Sequence, residues 1–333
     1  MNIFFSCAGR RAYLLEYFRQ QLDSDDYIIA GDMQASAPAL AFADVAVQLP
    51  PVADMDYIKK LLCICCEHHV DLLISLNDLE LPKLSQNKKI FAEAGITVLV
   101  SAPDIIDICF DKFKTQAFIN KIGLNSPLTL CHLEEARQAL YERKLHYPLI
   151  LKPRWGSGSI GIERIDDETE LLPTYQYLQH KVTKSILADA GQSGNEILIQ
   201  QCITGPEYGL DIINDLEGRH ISVSVKRKLS MRAGETDKAI TVHCPELSKI
   251  GRIIGSRLGH IGNLDCDILE QDGIYYVLEL NPRFGGGFPF SYEAGVNLPL
   301  AILKWKRGQN VDPKILMAQP GLTFAKCDRL VER

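Results

Sequence analysis

The sequence predicts an α/β domain built on a parallel sheet, followed by an α+β region whose sheets are mostly antiparallel. Two observations lead to this fold class. In residues 1–100, short apolar runs alternate with segments whose apolar residues recur at helical spacing, which is typical of a parallel sheet flanked by helices. From Glu196 onward, strand-like segments instead follow one another across short turns such as Glu217-Gly218 and Asp272-Gly273.

The N-terminal part alternates strand and helix with little interruption. The predicted strands are NIFFSC, YIIAGD, VDLLISL and ITVLVS. They are nearly continuous apolar runs, as expected when helices cover both faces of a sheet. The predicted helices are RRAYLLEYFRQQL, DYIKKLLCICCEHH and the segment that follows Pro82.

The second part begins with a mixed pattern and becomes mostly antiparallel. Its predicted helices are DKFKTQAFINKIG, HLEEARQALYERK, DDETELLPTYQYLQHKV and PELSKIGRIIGSRLG. Its predicted strands are SPLTLC, YPLILK, GIERI, EILIQQCI, EYGLDIIND, RHISVSVKRKL, GNLDCDILEQ and IYYVLELNP. Residues 183–195 are polar and are predicted to form a mobile link.

Composition limits the classes of function. Of 333 residues, 46% are apolar and 23% charged, as in ordinary soluble globular proteins. The net charge of −6 supports neither a nucleic-acid nor an anionic membrane partner. No apolar run approaches the roughly 20 residues that span a bilayer, and the N-terminal apolar residues precede the arginines, the reverse of a secretory signal. The ten cysteines are scattered, which favours a reducing, cytoplasmic compartment over a disulfide framework.

A lysine and a glycine-rich run lie between two predicted strands. Lys152 is followed by the Gly-Ser-Gly-Ser run of residues 156–159. Glycines let backbone N–H groups wrap an anion, and Ser157 and Ser159 add donors. In a Walker A loop the lysine follows the glycines and a helix comes next, whereas here the lysine precedes them and a strand follows. We therefore predict a flap that closes over the phosphates of a nucleotide; a flexible surface hairpin is the alternative.

The segment LELNPRFGGG carries a second chemical pattern. Glu279 and Asn281 share one face of a predicted strand, because strand side chains repeat every two residues. Asp267 lies on the neighbouring strand, and the three oxygen donors form a site that suits Mg²⁺. Arg283 continues the same face, where it would hold a carboxylate or a transferring phosphoryl group. A strand end with a salt bridge is the alternative.

These motifs occur in the order found in the ATP-grasp superfamily, which the chain resembles. LKPRWGSGSIG resembles its phosphate loop, IQQCITGPEYGLDI its adenine hinge and ribose-binding glutamate, and DCDILEQDGIYYVLELNPR its metal-binding hairpin. DKFKTQAFI resembles the helix that contributes a phosphate-contacting lysine. The N-terminal region resembles the pre-ATP-grasp domain, and the overall texture is closest to stand-alone proteins similar to the carbamoyl-phosphate synthase large chain.

The resemblance implies a domain plan and a role for each matching residue. The plan is a pre-ATP-grasp domain in residues 1–110, an ATP-grasp domain in 111–310 with subdomains of about 111–195 and 196–310, and a tail in 311–333. The implied ATP contacts are Lys112, Lys152, Gly156, Ser157, Gly158, Ser159, Gln200, Gln201, Cys202, Ile203, Glu207 and Lys226. The implied ligands of two magnesium ions, with Mn²⁺ as a substitute, are Asp267, Glu279 and Asn281. The implied catalytic residues are Arg283, Lys228 and Arg232.

Four features depart from the family pattern or stay open. The hinge has glutamine at Gln200 and Gln201 where the family often has glutamate. Asp265 suits an amine- or hydroxyl-bearing substrate, or is a buried acid paired with a neighbour. Residues 228–246 have two interpretations. Either Arg232 and Glu235 recognise charged groups of the substrate, or the segment is a solvent loop. The segment from Ser6 to Arg11 is a candidate for the far wall of the pocket.

The implied activity is that of a Mg-ATP-dependent carboxylate–amine ligase, acting through an acyl-phosphate and releasing ADP and phosphate. Its partners would be small-molecule carboxylate and amine substrates, and a homodimer is one option for its assembly. One alternative is an enzyme whose end product is carbamoyl phosphate or another acyl-phosphate. The other is a non-catalytic ATP-binding sensor.

Overall fold

The computed structural model describes residues 1–156, 161–184 and 196–332. Within these residues the strands form three sheets. The first sheet is parallel, with the strand order β3-β2-β1-β4-β5. Its strands are β1 (Ile3–Ser6), β2 (Ile28–Asp32), β3 (Val45–Gln48), β4 (Leu72–Ser75) and β5 (Thr97–Val98). The predicted parallel N-terminal sheet is therefore confirmed, although the edge strand β3 was not predicted.

Helices cover both faces of this sheet. They are α1 (Ala12–Arg19), α2 (Tyr57–Glu67), α3 (Leu81–Gln86), α4 (Lys88–Glu93) and α5 (Pro103–Phe110). Successive side chains of β1 enter opposite cores, with Phe5 packed in the cluster that contains Leu14 and Phe4 in the one that contains Phe91. The single helix predicted after Pro82 is two helices that meet at Asn87.

The second sheet has four antiparallel strands in the order β6-β9-β7-β8. These are β6 (Thr129–Leu130), β7 (Leu149–Pro153), β8 (Glu163–Ile165) and β9 (Ile197–Gln201). The accompanying helices are α6 (Lys112–Lys121), α7 (Leu133–Tyr141) and α8 (Glu168–Thr183). Most of the predicted flap (157–160) and of the predicted mobile link (185–195) lies outside the described residues.

The third sheet has six antiparallel strands in the order β14-β13-β10-β11-β12-β15. They are β10 (Glu207–Asn214), β11 (His220–Arg232), β12 (Glu235–Thr241), β13 (Gly262–Gln271), β14 (Ile274–Asn281) and β15 (Thr323–Ala325). The helices here are α9 (Pro245–Leu258), α10 (Phe288–Glu293) and α11 (Leu298–Lys306).

One interpretation of this region was wrong. Residues 228–246 are not a solvent loop, because β11 continues to Arg232 and β12 returns beside it. Thr236, Ala239 and Thr241 are the buried positions of β12, and two of the three are polar. The apolar alternation that marks a strand is therefore weak in this segment.

Two further observations concern the cysteines and the apolar character of the helices. All ten cysteines are unpaired. Among the described residues, no helix has both the length and the apolar character needed to span a bilayer.

A buried ion pair lies inside the large sheet. Lys226 on β11 and Asp211 on β10 are both fully buried, and Lys226 Nζ lies 2.6 Å from Asp211 Oδ2. Asp211 also accepts hydrogen bonds from Ser291 of α10 and from Asn263 Nδ2, at 3.0 Å for the latter. Charges removed from water are tolerated only when they are paired and hydrogen-bonded, so each partner depends on the other.

Replacing Asp211 by alanine should lower the free energy of unfolding by about 3–5 kcal/mol, because it leaves the Lys226 ammonium buried without a counter-charge. Urea denaturation followed by circular dichroism measures this loss. The double variant Asp211→Leu/Lys226→Met is the control, and it should recover most of the stability because no charge is stranded. A loss below about 1 kcal/mol in Asp211→Ala would contradict this account of the pair.

Candidate functional site

A cleft opens where β14 ends. It is formed by α5, the start of α6, the segment after β7, the segment after β4 and the end of β14. The lining residues are Asp78, Leu81, Ile106, Cys109, Phe110, Lys112, Gly156, Glu279, Leu280, Asn281 and Pro282. Two motifs that are more than 120 residues apart in the sequence, one predicted to bind phosphate and one metal, therefore meet in a single cleft.

Hydrogen bonds fix the cationic side of the cleft. Lys112 Nζ donates to the carbonyl oxygen of Gly156, at the start of the predicted flap. Asp111 caps α6 by accepting from Phe113 N at 3.0 Å. The same carboxylate receives two hydrogen bonds from Arg154, at 2.8 and 2.7 Å, which ties the start of α6 to the end of β7. Lys112 is thus held beside the strand that carries Lys152.

Lys152 is a buried cation near a second cation. Its exposure is only 6%, and the burial, together with the repulsion from Lys112, lowers its pKa to about 8. The carboxylate of Glu279 acts in the opposite direction. Two neighbouring ammonium groups with little access to water favour the approach of an anion.

The backbone register brings the predicted oxygen donors together. Asp267 on β13 pairs directly with Glu279 on β14, and Asp265 pairs with Asn281. Asn281 Nδ2 donates to Glu279 Oε1 at 3.3 Å. Lys228 Nζ lies 2.7 Å from Asp267 Oδ1 and 2.7 Å from Glu207 Oε1, so the predicted ribose ligand joins the same group.

The carboxylates on this side repel one another. Burial raises the pKa of Asp267, the neighbouring Glu279 and Glu207 raise it further, and Lys228 opposes the shift. Burial alone would also raise the pKa of Glu279, but Lys112 and Lys152 outweigh it, so that this pKa is lowered. The carboxylates therefore depend on nearby positive charge.

The donor set fits a magnesium ion. The partly buried carboxylates of Asp267 and Glu279 and the amide oxygen of Asn281 are the hard donors that Mg²⁺ takes in proteins, with phosphate and water completing its shell. The ammonium of Lys228 already lies on Asp267, which indicates that this position favours a cation. Among the described residues, no group of three or more His, Cys, Asp and Glu side chains is arranged to hold a metal. The site therefore requires Asn281 as its third protein donor.

Arg283 lies just beyond β14 and is bound on two sides. Its Nη2 is 2.9 Å from Asp78 Oδ2 and its Nη1 is 3.1 Å from Asp265 Oδ2. Asp265 is thus paired with a neighbour, and its contact with a substrate stays a prediction. Burial and Asp267 raise the pKa of Asp265 to about 6, against the influence of Arg283.

Sequence reasoning did not identify Asp78. It follows β4, at the carboxyl edge of the parallel sheet, where open α/β sheets place their binding residues. This position is the signal that could have identified it. Through Arg283, Asp78 connects the N-terminal sheet to the hairpin of β13 and β14, which is predicted to bind metal.

The predicted hinge residues are the last two of β9, Gln200 and Gln201, and the two that follow it. The buried Gln200 side chain donates to Thr129 Oγ1 at 2.7 Å, and Gln201 Oε1 accepts from Leu128 N at 3.3 Å. Both amides thus bind the β6 segment. Cys202 and Ile203 come next, and their contact with adenine stays a prediction.

The remaining predicted residues are less directly connected with the cleft. Lys226 belongs to the buried pair described above, and a contact with phosphate stays a prediction. Arg232 forms ion pairs with Asp237, at 2.9 Å, and with Asp328, and it does not line the cleft formed by the described residues. Its catalytic role stays a prediction, and Ser157, Gly158 and Ser159 lie outside the described residues.

Two family models match separate parts of the chain. Residues 3–99 match the family model "PylC-like, N-terminal domain". Residues 193–329 match "ATP-grasp in the biosynthetic pathway with Ter operon".

Curated relatives are similar over part of their length. The carbamoyl phosphate synthase large chain of Clostridium beijerinckii is 28% identical over 214 residues, which are 60% of this chain and 18% of that protein. The D-alanine--D-alanine ligase of a Marinomonas species is 26% identical over 204 residues, which are 56% of this chain and 59% of that protein. The chain thus spans less than two thirds of the length of either relative.

Solved structures share the fold over nearly the whole chain. Biotin carboxylase from Campylobacter jejuni aligns with a TM-score of 0.75 at 17% identity, covering 95% of this chain and 73% of that one. The ADP complex of N5-carboxyaminoimidazole synthetase from Staphylococcus aureus gives 0.70 at 15%, covering 93% and 78%. L-amino acid ligase from Bacillus licheniformis gives 0.68 at 22%, covering 91% and 74%. These likenesses support the fold.

The lowered pKa of Lys152 leads to a prediction about stability. The ordinary value is 10.5 and the folded value about 8, so between these pH values the folded chain binds fewer protons than the unfolded chain. The destabilisation from the buried charge is therefore complete below pH 8 and fades as the pH rises towards 10.5. Replacing Lys152 by methionine should raise the free energy of unfolding at pH 7 by on the order of 3 kcal/mol, with a shrinking gain above pH 8.

Denaturation of both proteins at pH 7, 8, 9 and 10 measures this gain. The exposed Lys121 on α6 supplies the matched control, because Lys121→Met removes a hydrated charge and should leave stability nearly unchanged. A Lys152→Met protein that is no more stable at pH 7, or equally stabilised at pH 7 and 10, would be inconsistent with a destabilising buried ammonium.

Proposed function

The chain is an ATP-grasp protein with a PylC-like N-terminal domain, and we propose that it is a Mg-ATP-dependent ligase that joins a carboxylate to an amine. The observation that carries this proposal is the arrangement of charge in the cleft. Lys112 lines the cleft with Glu279, and Lys152 lies close enough to Glu279 to lower its pKa. A triphosphate with its magnesium ion is a ligand that matches both groups, since its phosphates attract the lysines and its metal ion attracts the carboxylate.

The chain offers matching groups for each part of ATP. Lys112 and Lys152 would neutralise the phosphates, together with residues 156–159. The backbone around Gln201 and Ile203 would read the adenine, and Glu207 would bind the ribose once it is released from Lys228.

Asp267, Glu279 and Asn281 would hold two magnesium ions, with manganese as a substitute. The bound metal would spread the charge that develops on the phosphates during transfer. Lys228 lies between Glu207 and Asp267 and would stay near the phosphates as a catalytic cation after Glu207 turns to the ribose.

The proposed reaction has two steps. A carboxylate oxygen of the substrate attacks the γ-phosphorus of ATP, and the bond from that phosphorus to the β,γ-bridging oxygen breaks. ADP leaves with the bridging oxygen, and the substrate becomes an acyl-phosphate. The nitrogen of a neutral amine then attacks the acyl carbon, inorganic phosphate leaves, and the nitrogen loses a proton as the amide forms. Phosphoryl transfer needs mainly positioning and charge neutralisation, which buried lysines such as Lys152 supply.

Two further properties belong to this proposal. The ten unpaired cysteines support a cytoplasmic location, where thiols stay reduced. The homodimer stays a prediction.

Replacing Glu279 by glutamine should reduce ADP formation at least about 100-fold. The change removes the negative charge that offsets Lys112 and Lys152 and that would bind the metal ion. ADP release is measured with purified protein, Mg-ATP and pooled small carboxylates, amino acids and amines. Circular dichroism checks the fold. Glu246→Gln, on the exposed surface of α9, is the matched control and should leave the rate unchanged. Equal rates in Glu279→Gln and the parent would reject the site assignment.

Hydroxylamine should trap the acyl-phosphate. With Mg-ATP, a substrate acid and hydroxylamine, a hydroxamate should form in proportion to ADP. With Mg-ATP and the acid but neither hydroxylamine nor the amine substrate, ADP release should be slow. Steady accumulation of an acyl-phosphate without amine would instead identify an acyl-phosphate synthase. Tight ATP binding with no turnover on any acid would identify a nucleotide sensor.

A further inference from the structure

A fully buried acid lies at the carboxyl edge of the parallel sheet, where its two central strands diverge. In the order β3-β2-β1-β4-β5, the chain adds β2 and β3 on one side of β1 and then β4 and β5 on the other. Open α/β sheets bind their ligands at such a switch point. Here Ser6 ends β1, Ser75 ends β4, and the carboxylate of Glu80 binds both hydroxyls. The chain's own carboxylate therefore occupies this crevice.

The hydrogen-bond donors around Glu80 are neutral groups from three elements. Ser6 Oγ and Ser75 Oγ both donate to its Oε2, the former at 2.7 Å. Tyr57 Oη, at the start of α2, donates to Oε1 at 2.6 Å. Burial raises the pKa of Glu80, and these hydroxyls together with the Cys7 thiol oppose the shift. A buried carboxyl group with partners on β1, β4 and α2 is held in one position.

The same residue ends the turn that joins β4 to α3. Glu80 N donates to the carbonyl oxygen of Asn77 at 3.1 Å. At the other end of the turn, Leu76 N donates to the carbonyl oxygen of Ser6 at 3.2 Å. Asp78 lies between these two fixed ends. Its position relative to the sheet therefore depends on Glu80.

Asp78 carries this position into the cleft. It lines the cleft, and its Oδ2 lies 2.9 Å from Arg283 Nη2. The two side chains are only 11% and 8% exposed, so water and salt screen their ion pair little. Arg283 in turn interacts electrostatically with Glu279, and it is the residue predicted to hold a carboxylate or the transferring phosphoryl group.

The second partner of Arg283 comes from the other domain. Asp265 on β13 has its Oδ2 3.1 Å from Arg283 Nη1. One carboxylate from the N-terminal domain and one from the large sheet thus hold the two terminal nitrogens of the guanidinium. Its direction is fixed only while both carboxylates stay in place.

We propose that Glu80 is a positioning residue for the ligase reaction, because it holds the turn that carries Asp78 and thereby fixes the guanidinium of Arg283. This inference rests on the proposed function. It gives the N-terminal sheet a task in the reaction, since the crevice that binds ligands in similar sheets instead orients a residue of the ATP-grasp domain. Glu80 is 0% exposed and acts only through other residues.

Two substitutions separate the length of the Glu80 side chain from its charge. Glu80→Asp keeps the charge but is one methylene shorter, so its carboxylate cannot reach all three hydroxyls without displacing the turn. Glu80→Gln keeps the length. Its amide oxygen still accepts from Ser6 and Ser75, and its NH₂ group donates to the Tyr57 hydroxyl, which can accept. A positioning role therefore predicts a defect in Glu80→Asp and recovery in Glu80→Gln.

NMR of the full chain with ¹⁵N-labelled arginine measures the orientation of Arg283 without any substrate. Its signals are assigned by their loss in Arg283→Lys. A guanidinium bound at both ends should give separate Nη1 and Nη2 resonances in the parent and in Glu80→Gln. In Glu80→Asp these resonances should shift and merge. Glu93→Asp, on the exposed surface of α4, is the matched control and should leave them unchanged.

Turnover tests the effect on the reaction. With Mg-ATP, hydroxylamine and pooled small carboxylates, Glu80→Asp should lower the maximal rate of ADP formation at least about tenfold, since a catalytic group misplaced by about 1 Å loses that much or more. The KM for ATP should stay unchanged, and Glu80→Gln should recover most of the rate. Adding Glu80→Asp to Asp78→Ala should cost less than about twofold, because both changes act on the same contact.

The outcomes separate this inference from the proposed function. Unchanged Arg283 resonances in Glu80→Asp, an unchanged maximal rate, or losses that multiply in the double variant would overturn the positioning role. ADP release by the parent would still support the ligase in each of these cases. A parent that neither binds nucleotide nor releases ADP would overturn the proposed function and the catalytic part of this inference, while the resonances would still decide whether Glu80 fixes Arg283.

Discussion

The structure depends on like charges that the fold holds together on both sides of one cleft. Lys112 lines the cleft on one side and has Lys152 as its neighbour, and Glu279 lines it on the other side, paired across two strands with Asp267. Neither pair is favourable alone in a poorly hydrated site. The attraction between the two sides, seen in the lowered pKa of Glu279, relieves part of the repulsion, and a metal-bound triphosphate would relieve the rest.

The surrounding fold keeps these charges from separating. Asp111 and Arg154 lock the start of α6 to the end of β7, which fixes the lysines relative to each other. Arg283 links the hairpin of β13 and β14 to Asp78 of the N-terminal domain. Both links are charge-assisted and largely buried, so that the cleft is built by ion pairs between structural units rather than by apolar packing alone.

Local regularities in the sequence were sufficient for much of this site. The two-residue period of a strand places Glu279 with Asn281, and the hairpin turn at Asp272 brings Asp267 opposite Glu279, as the register shows. Long-range partners could not be found in this way. Asp78 is 205 positions from Arg283, and only the folded chain shows that they touch. The strand β12 was missed because two of its three buried positions are threonines.

The central claim is that one bound nucleotide contacts both sides of the cleft. A crystal structure with a non-hydrolysable ATP analogue and magnesium tests it most directly. The account predicts Lys152 on the phosphates and Glu279 on a metal ion bound to those same phosphates. A nucleotide that binds elsewhere, or one that contacts Lys152 while Glu279 faces a separate cavity, would contradict it.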